Sequence, residues 1–340
     1  MAKNKLTIVI PTYNRNNILY EGLINLLPQL NDCKDCTLLI MDNCSEIPVK
    51  ETLGILFKKY ADVKYSIHRN KFNVGASANM LRGLELCESE WIWFLGDDDL
   101  VLKNGLNIVL DKIDKNHDCC FINFFSNVDR FTRSQSFITH GSDEFITKMD
   151  SFSNVLFISA GIYKVEVLQK HIRIGYQYIY SLGFHIGMLL FHLKDNDSNI
   201  LFSSEQVVHW QKEESGNSLF NVALSLPILL ELPMNSITRK LLAGKILALF
   251  NYSLNRRQLF FETLFSALRS KDYIGWKHSY FHYRARMHYF DSSLKNKVET
   301  YIYLLLMQFP KCTYGILSLL YLIIKKKKFG MEFNEKFERL

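Results

Sequence analysis

Three consecutive aspartates, Asp97-Asp98-Asp99, follow the apolar run Trp91-Ile92-Trp93-Phe94-Leu95. Neighbouring carboxylates raise one another's pKa unless a cation neutralises them. Their type and placement therefore point to a hard divalent ion, Mn2+ or Mg2+, bound through oxygen beside a phosphate-bearing substrate. An acidic cap on a helix starting near Lys103 accounts for one aspartate and leaves two unexplained. Other polar residues stand at comparable places. Thr12, Tyr13, Asn14 and Arg15 follow Leu6–Ile10 and Pro11, Asp42 and Asn43 follow Thr37–Met41, and Arg69 and Asn70 follow Val63–Ile67. Two histidines could serve as base or ligand, His185 within an apolar stretch and His209 after Val207-Val208; His185 reads equally as a core histidine, and a single histidine such as His209 after an apolar strand is more often structural.

The elements that must position these residues alternate in type. Leu6–Ile10 is a short β-branched run ended by Pro11, and Ile18, Leu19, Gly22, Leu23, Leu26, Leu27 and Leu30 then recur at helical spacing. The same strand-then-helix unit returns at 37–41 and 49–60, at 63–67 and 76–87, and at 91–95 and 102–113. Such alternation predicts an α/β fold, a doubly wound and mostly parallel Rossmann-like sheet, whose ligand lies beyond the carboxyl ends of the strands. The polar residues named above all fall at those ends. Another strand is expected over Cys119–Phe125, a loop or hairpin over 126–153, β structure over 157–163 and a buried helix over 182–193. From Leu226 onward long apolar-periodic segments predict an α-helical extension, dividing the chain into a catalytic domain over 1–225 and a basic extension over 226–340.

Taken together, Thr7-Ile8-Val9-Ile10-Pro11-Thr12-Tyr13-Asn14-Arg15, Asp42-Asn43-Cys44-Ser45, Asn73-Val74-Gly75 with Asn79, and Trp93-Phe94-Leu95-Gly96-Asp97-Asp98-Asp99 resemble, in order and spacing, the signatures of family 2 (GT-A fold) glycosyltransferases. The resemblance is close over about the first 115 residues and looser to about 220. It implies an inverting transfer of sugar from a nucleoside-diphosphate sugar to a saccharide acceptor, with Mn2+ or Mg2+ stabilising the leaving diphosphate. Pro11, Thr12, Tyr13 and Asn14 would line the nucleotide pocket and Asp42 would accept from the base. Arg69 would lie near base or phosphate, and Asn73, Gly75 and Asn79 would form the loop-to-helix entry. Gly96 stands where the family's first acidic residue is usual. Asp98 then becomes the leading metal ligand, Asp99 completes the shell and Asp97 contacts the ribose. Relatives carry an acidic base at the start of a later helix; here that place offers His185, with Asp195 as the fallback. Val207-Val208-His209-Trp210 with 215–218 resembles the late segment where a histidine approaches the metal or diphosphate, and Trp210 would stack on an acceptor sugar or join the core.

Charge is unevenly spread. The chain carries a net +7, yet the stretch from Leu226 has 19 basic against 8 acidic residues, leaving the first 225 at −4. An anionic membrane surface or nucleic acid would suit that extension; the absence of a nucleic-acid motif and the acidic first part favour the membrane. The apolar segments 301–307 and 314–324 are separated by Gln308, Pro310 and Lys311 and followed by Lys325-Lys326-Lys327-Lys328, a pattern for helices lying in the interface rather than crossing it. Seven cysteines without paired spacings predict a reduced cytoplasmic setting, peripheral on the membrane's inner face, and Cys33-Lys34-Asp35-Cys36 is only half a zinc site. A lipid-linked acceptor in O-antigen or capsule assembly follows from the resemblance and the charge. Competing readings are a sugar nucleotidyltransferase, disfavoured because Pro11-Thr12-Tyr13-Asn14-Arg15 replaces a Gly-rich loop, and an inactive scaffold at the membrane.

Overall fold

The structure is a computed structural model that describes residues 4–129, 131–211, 226–248, 260, 264 and 293–325. Strand β1 (Leu6–Thr12) leads into helix α1 (Asn16–Asn31), β2 (Cys36–Asp42) into α2 (Val49–Lys59), β3 (Tyr65–Arg69) into α3 (Ala76–Glu85), and β4 (Trp91–Phe94) through the two-residue β5 (Leu100–Val101) into α4 (Gly105–Lys115). Strands β6 (Cys119–Phe125), β7 (Phe137–His140), β8 (Gly161–Lys164) and β9 (Asn199–Gln206) complete an eight-stranded sheet of order β3-β2-β1-β4-β8-β6-β9-β7. The β3-β2-β1-β4 half is parallel throughout, whereas β8 runs antiparallel to both its neighbours. Strand β10 (Val208–His209) pairs with β5 outside that sheet.

The central strands are apolar on both faces because both are covered. In β1, Leu6, Ile8 and Ile10 pack into the cluster with Leu19, Leu23, Leu26, Leu27 and Leu30 of α1, the helical stripe seen in the sequence. Trp91 and Trp93 of β4 enter the same cluster. At roughly 1.5–3 kcal/mol per fully buried large side chain, this layer is the main force holding the strand ends in register.

Two stretches differ from the sequence expectation. Residues 158–160 form a 3-10 turn before β8 rather than continuous strand. The polar stretch 126–153 contains β7, α5 (Gly141–Lys148) and the start of α6 (Phe152–Leu156), organised by a buried ion. The Arg133 side chain is 1% exposed and pairs with Asp150 at 2.7 Å while donating to the Asn123 and Ser203 carbonyls at 2.8 and 2.9 Å. Helix α7 (Val165–Lys170) follows β8, α9 (Phe184–Leu193) meets the sheet through Phe184 on Phe94 and His185 on Tyr163, and α8 (Ile172–Gln177) packs between α3 and α9, with Gly175 against Leu81 and Met188.

The chain divides into two compact units, residues 1–216 with 228–249, and residues 217–227 with 250–340. Helix α10 (Ser236–Ala248), in the stretch expected to begin the extension, belongs to the first: the Thr238 hydroxyl donates to Asp143, and Lys245 Nζ donates to the Met149 carbonyl at 2.6 Å. In the second unit, α11 (Leu294–Met307) and α12 (Pro310–Lys325) are helical as expected. Residues 215–218 and 326–340 lie outside the described residues.

Candidate active site

Strand order reverses between β1 and β4. After β1 the chain winds outward through β2 to β3, and after β4 it proceeds to the other side of the sheet. A crevice at the carboxyl ends follows from that topology, and the polar residues meet there. Thr12 at the end of β1 donates its hydroxyl to Asp97 Oδ2 at 2.7 Å, joining the two strand ends directly. Arg15, just before α1, places Nη1 2.9 Å from Asp97 Oδ1 and Nη2 2.8 Å from Asp98 Oδ2. Pairing also sets Thr12, Asp42 and Arg69 abreast across β1, β2 and β3.

Asp42 is almost fully buried and ties its own loop together. Its carboxylate accepts from the Ser45 backbone N–H at 2.8 Å, the Val49 N–H at 3.3 Å and Arg69 Nη1 at 2.6 Å. Burial works to raise its pKa, but the Ser45 and Arg69 hydrogen bonds and the Val49 N–H outweigh it and hold the carboxyl below its ordinary value. Beside it Asn43 Nδ2 donates to Asn73 Oδ1 at 2.7 Å, Asn70 Nδ2 to Asn79 Oδ1 at 2.7 Å, and Asn79 Nδ2 to the Met41 carbonyl at 2.7 Å. This amide network fixes the 70–75 loop, where Gly75 sits at φ 83 and permits the entry into α3. Asn14, at φ 54, accepts from the Glu46 N–H at 2.7 Å and locks the first loop to the second. Tyr13 is exposed above them and Pro11 is half-buried.

The acidic motif is held in alternation. Asp97 and Asp99 are each 6% exposed, while the Asp98 side chain between them is 23% exposed. Burial pushes Asp97 up to about 6, with Thr12 and Arg15 pulling it back and Asp98 adding to the rise. It pushes Asp99 up to about 7; the Ser159 hydroxyl, donating to Asp99 Oδ2 at 2.5 Å, offsets part of this and the two neighbouring aspartates add to it. Ser159 also accepts from the Gly96 N–H at 2.9 Å, so the 3-10 turn before β8 braces the motif. Sequence reasoning missed Ser159; a small residue at the head of a strand was its only signal. At Gly96 the chain passes close under the motif, so that a Cβ there would meet Asp99 Oδ2 at 2.5 Å and Asp98 Oδ1 at 3.0 Å.

The histidines separate. His209 is exposed on β10 and pairs with Leu100, the residue after Asp99, with Nε2 3.4 Å from Asn127 Nδ2. Trp210 beside it is half-buried and bonds through its backbone to the Asn127 side chain. His185, expected as the base, is instead a core residue, 1% exposed, with its ring edge-on to Phe184 and Tyr163. Burial pushes its pKa down to about 3, the Val155 and Leu156 carbonyls offsetting only part, and neither ring nitrogen closes a full hydrogen bond among the described residues. A neutral imidazole of that pKa, walled off from solvent, is unfit to take a proton from an acceptor hydroxyl. Asp195, the fallback, lies beyond the end of α9 and pairs with Lys194.

For a divalent ion the donor chemistry fits: hard oxygens, two buried carboxylates with raised pKa, and a cation already drawn to the group. The expected ligands Asp98, Asp99 and His209 nevertheless do not close a metal-holding group, and no set of three or more His, Cys, Asp or Glu does so among the described residues.

A family model described as Glycosyl transferase family 2 matches residues 7–171, the segment that builds this crevice. The chain carries a family 2 glycosyl transferase domain. Among curated proteins that domain is similar to the GalNAc(5)-diNAcBac-PP-undecaprenol beta-1,3-glucosyltransferase of Campylobacter jejuni, with 29% identity over 119 residues, 35% of this chain and 38% of that protein. It is also similar to the abequosyltransferase RfbV of Salmonella typhimurium, 29% identical over 113 residues, 33% of this chain and 34% of the other. The chain thus spans about a third of the length of these relatives. Similarity of fold reaches further. TarS 1–349 of S. aureus in complex with UDP-GlcNAc superimposes with TM-score 0.58 at 17% identity, over 91% of this chain and 88% of that one. The mannosyltransferase PcManGT from Pyrobaculum calidifontis, in complex with GDP-Man and Mn2+, gives 0.52 at 10% identity over 96% and 89%. The architecture of this family 2 domain is the GT-A fold, with helices following it in the chain.

Proposed function

We propose that this chain is a metal-dependent, inverting glycosyltransferase that moves a sugar from a nucleoside-diphosphate sugar onto a lipid-linked saccharide in bacterial surface-polysaccharide assembly. The observation that carries the reading is the joining of Thr12, Arg15, Asp97 and Asp98 across the β1–β4 crevice of a family 2 domain. Pro11, Thr12, Tyr13 and Asn14 form the donor wall, with the Asp42–Arg69 pair and the amide network of Asn73 and Asn79 beneath it. Asp98, as the accessible carboxylate of the motif, would hold Mn2+ or Mg2+ with Asp99 and His209, and Asp97 would face the ribose. When bound, the ion supplies positive charge to the departing diphosphate. The lipid-linked acceptor is supported by the C. jejuni relative, whose name specifies an undecaprenol-linked substrate.

The acceptor's lipid calls for a membrane surface, and the second unit supports one. No single helix among the described residues is long and apolar enough to cross a bilayer. Helix α11, however, exposes Leu294, Val298, Tyr301 and Leu305 along one face, and α12 exposes Ile316, Leu319 and Ile323 along another, with Lys295, Lys297 and Lys311 exposed beside them. Apolar stripes flanked by lysines suit the interface of an anionic bilayer, which would make the protein peripheral on the cytoplasmic face.

A thermal-shift panel of UDP-, GDP-, dTDP- and CDP-sugars with and without Mn2+ identifies the donor, since a ligand bound only by the folded state raises the melting point. With that donor, nucleoside diphosphate is the expected product and pyrophosphate would instead indicate nucleotidyl transfer. Asp98→Ala is expected to abolish metal-dependent release while melting within a few degrees of the parent; full activity in that variant defeats the metal assignment.

A further inference from the structure

The Arg15 guanidinium is bonded to two carboxylates of the acidic motif at once, through Nη1 to Asp97 and Nη2 to Asp98. A planar fork suits such bridging, whereas a single ammonium does not. A divalent ion held through Asp98 would compete for the same oxygens, and would repel the guanidinium if both remained. We propose that Arg15 is a built-in countercation that keeps the acidic loop assembled in the metal-free protein and that the divalent ion must displace in order to bind. The inference rests on the metal reading given above and adds to it a residue that sets the protein's affinity for the ion.

The surroundings decide which partner moves. Asp97 is buried and is also held by Thr12, and Asp99 is held by Ser159. The backbone before Arg15 is pinned as well, with the Asn14 N–H donating to Ser45 Oγ at 3.0 Å and Asn14 Oδ1 accepting from Glu46. The Arg15 side chain is 34% exposed, so an ion arriving from solvent meets its guanidinium at the two carboxylates.

The test is a Mn2+ titration of metal-free full-length protein without nucleotide, with free Mn2+ read by electron paramagnetic resonance. Wild type is compared with Arg15→Gln, Arg15→Lys and Asp98→Asn. Arg15→Gln is expected to bind Mn2+ about tenfold more tightly, the effect of removing a half-exposed competing cation from Asp97 and Asp98. Arg15→Lys should fall between the two, and Asp98→Asn should lose the site. Without metal, Arg15→Gln should also melt below wild type and recover on adding Mn2+. Equal or weaker Mn2+ affinity in the Arg15 variants, alongside measurable binding by wild type, overturns the countercation role and leaves the metal reading standing. Absence of binding in every protein overturns both. Should Arg15→Gln fail to fold, Arg15→Lys carries the same comparison, with a several-fold tightening expected.

Discussion

His185→Leu separates a core histidine from a catalytic one. The folded protein holds His185 neutral, with a pKa of about 3 against 6.5 for the free side chain, because burial disfavours the imidazolium. Between those values the unfolded chain binds a proton that the folded chain does not. Stability contributed by this group is therefore complete above pH 6.5 and is lost as pH falls toward 3. At pH 5 the cost is about 2 kcal/mol, from 1.36 kcal/mol for each pKa unit below 6.5. Leucine is close in volume, adds no polar atom among Phe184 and Tyr163, and removes the titration. Urea unfolding of both proteins at pH 7.5 and pH 5 reads the effect. The variant's stability relative to wild type should improve by about 2 kcal/mol on going to the lower pH. At pH 7.5 it should be at least as stable as wild type, because two ring nitrogens without full hydrogen bonds are gone. Donor turnover should stay within about threefold, whereas loss of a general base costs about 10²–10⁴-fold. Identical pH dependence in the two proteins, or a folded variant with turnover down a hundredfold, would refute the core assignment.

Other outcomes follow from the same geometry. Gly96→Ala should drive the Asp99 carboxyl off Ser159, because its Cβ would stand 2.5 Å from Asp99 Oδ2; at least a tenfold loss of Mn2+ affinity is expected, and calorimetry showing parental affinity would contradict it. Asp150→Ala strands the buried Arg133 guanidinium and should cost about 3–5 kcal/mol in chemical denaturation, so a loss under 1 kcal/mol would mean that the pair does not organise the 126–153 stretch. Ile302→Glu with Leu305→Glu places two charges on the exposed face of α11; co-sedimentation with anionic vesicles should fall at least tenfold with donor binding retained, and undiminished sedimentation rules that face out as the membrane contact.

The legible parts of the fold are those where local pattern and burial agree. Strands β1, β2, β4 and β6 lie within two residues of their expected ends, because each centres on a continuous apolar run; β1 continues through Pro11 to Thr12, both paired with β2. Strand β3 falls two residues later than expected: it is an edge strand whose Tyr65, Ser66 and His68 face solvent, so burial leaves little imprint on its sequence. The 126–160 region was opaque for a different reason. Its order comes from Arg133 reaching Asp150, Asn123 and Ser203 across the chain, and from Asn154 donating to Asn123 Oδ1 at 2.7 Å, contacts that no periodicity announces. His185 stands at the place along the chain where the resemblance leads one to expect a base, whereas a base must also meet solvent or substrate. Apolar residues surround it along α9, with Phe184, Ile186, Met188 and Leu189 all buried, and that was the available sign of a core position.

The acidic motif shows how the fold reconciles clustered charge with stability. A connection that turns away on each side of the β1–β4 boundary leaves the strand ends uncovered there, so one side of the motif meets the core and the other meets the crevice. Alternate residues use these two environments differently. Asp97 and Asp99 are the more buried pair, each held through one oxygen by a hydroxyl from Thr12 or Ser159, and Asp98 is the more exposed, where a cation can reach it without breaking either anchor. Glycine at 96 is what lets Asp98 and Asp99 sit so close to the chain. A side chain at that position would need the space that Asp98 and Asp99 fill, so the acidic group of this chain begins after Gly96.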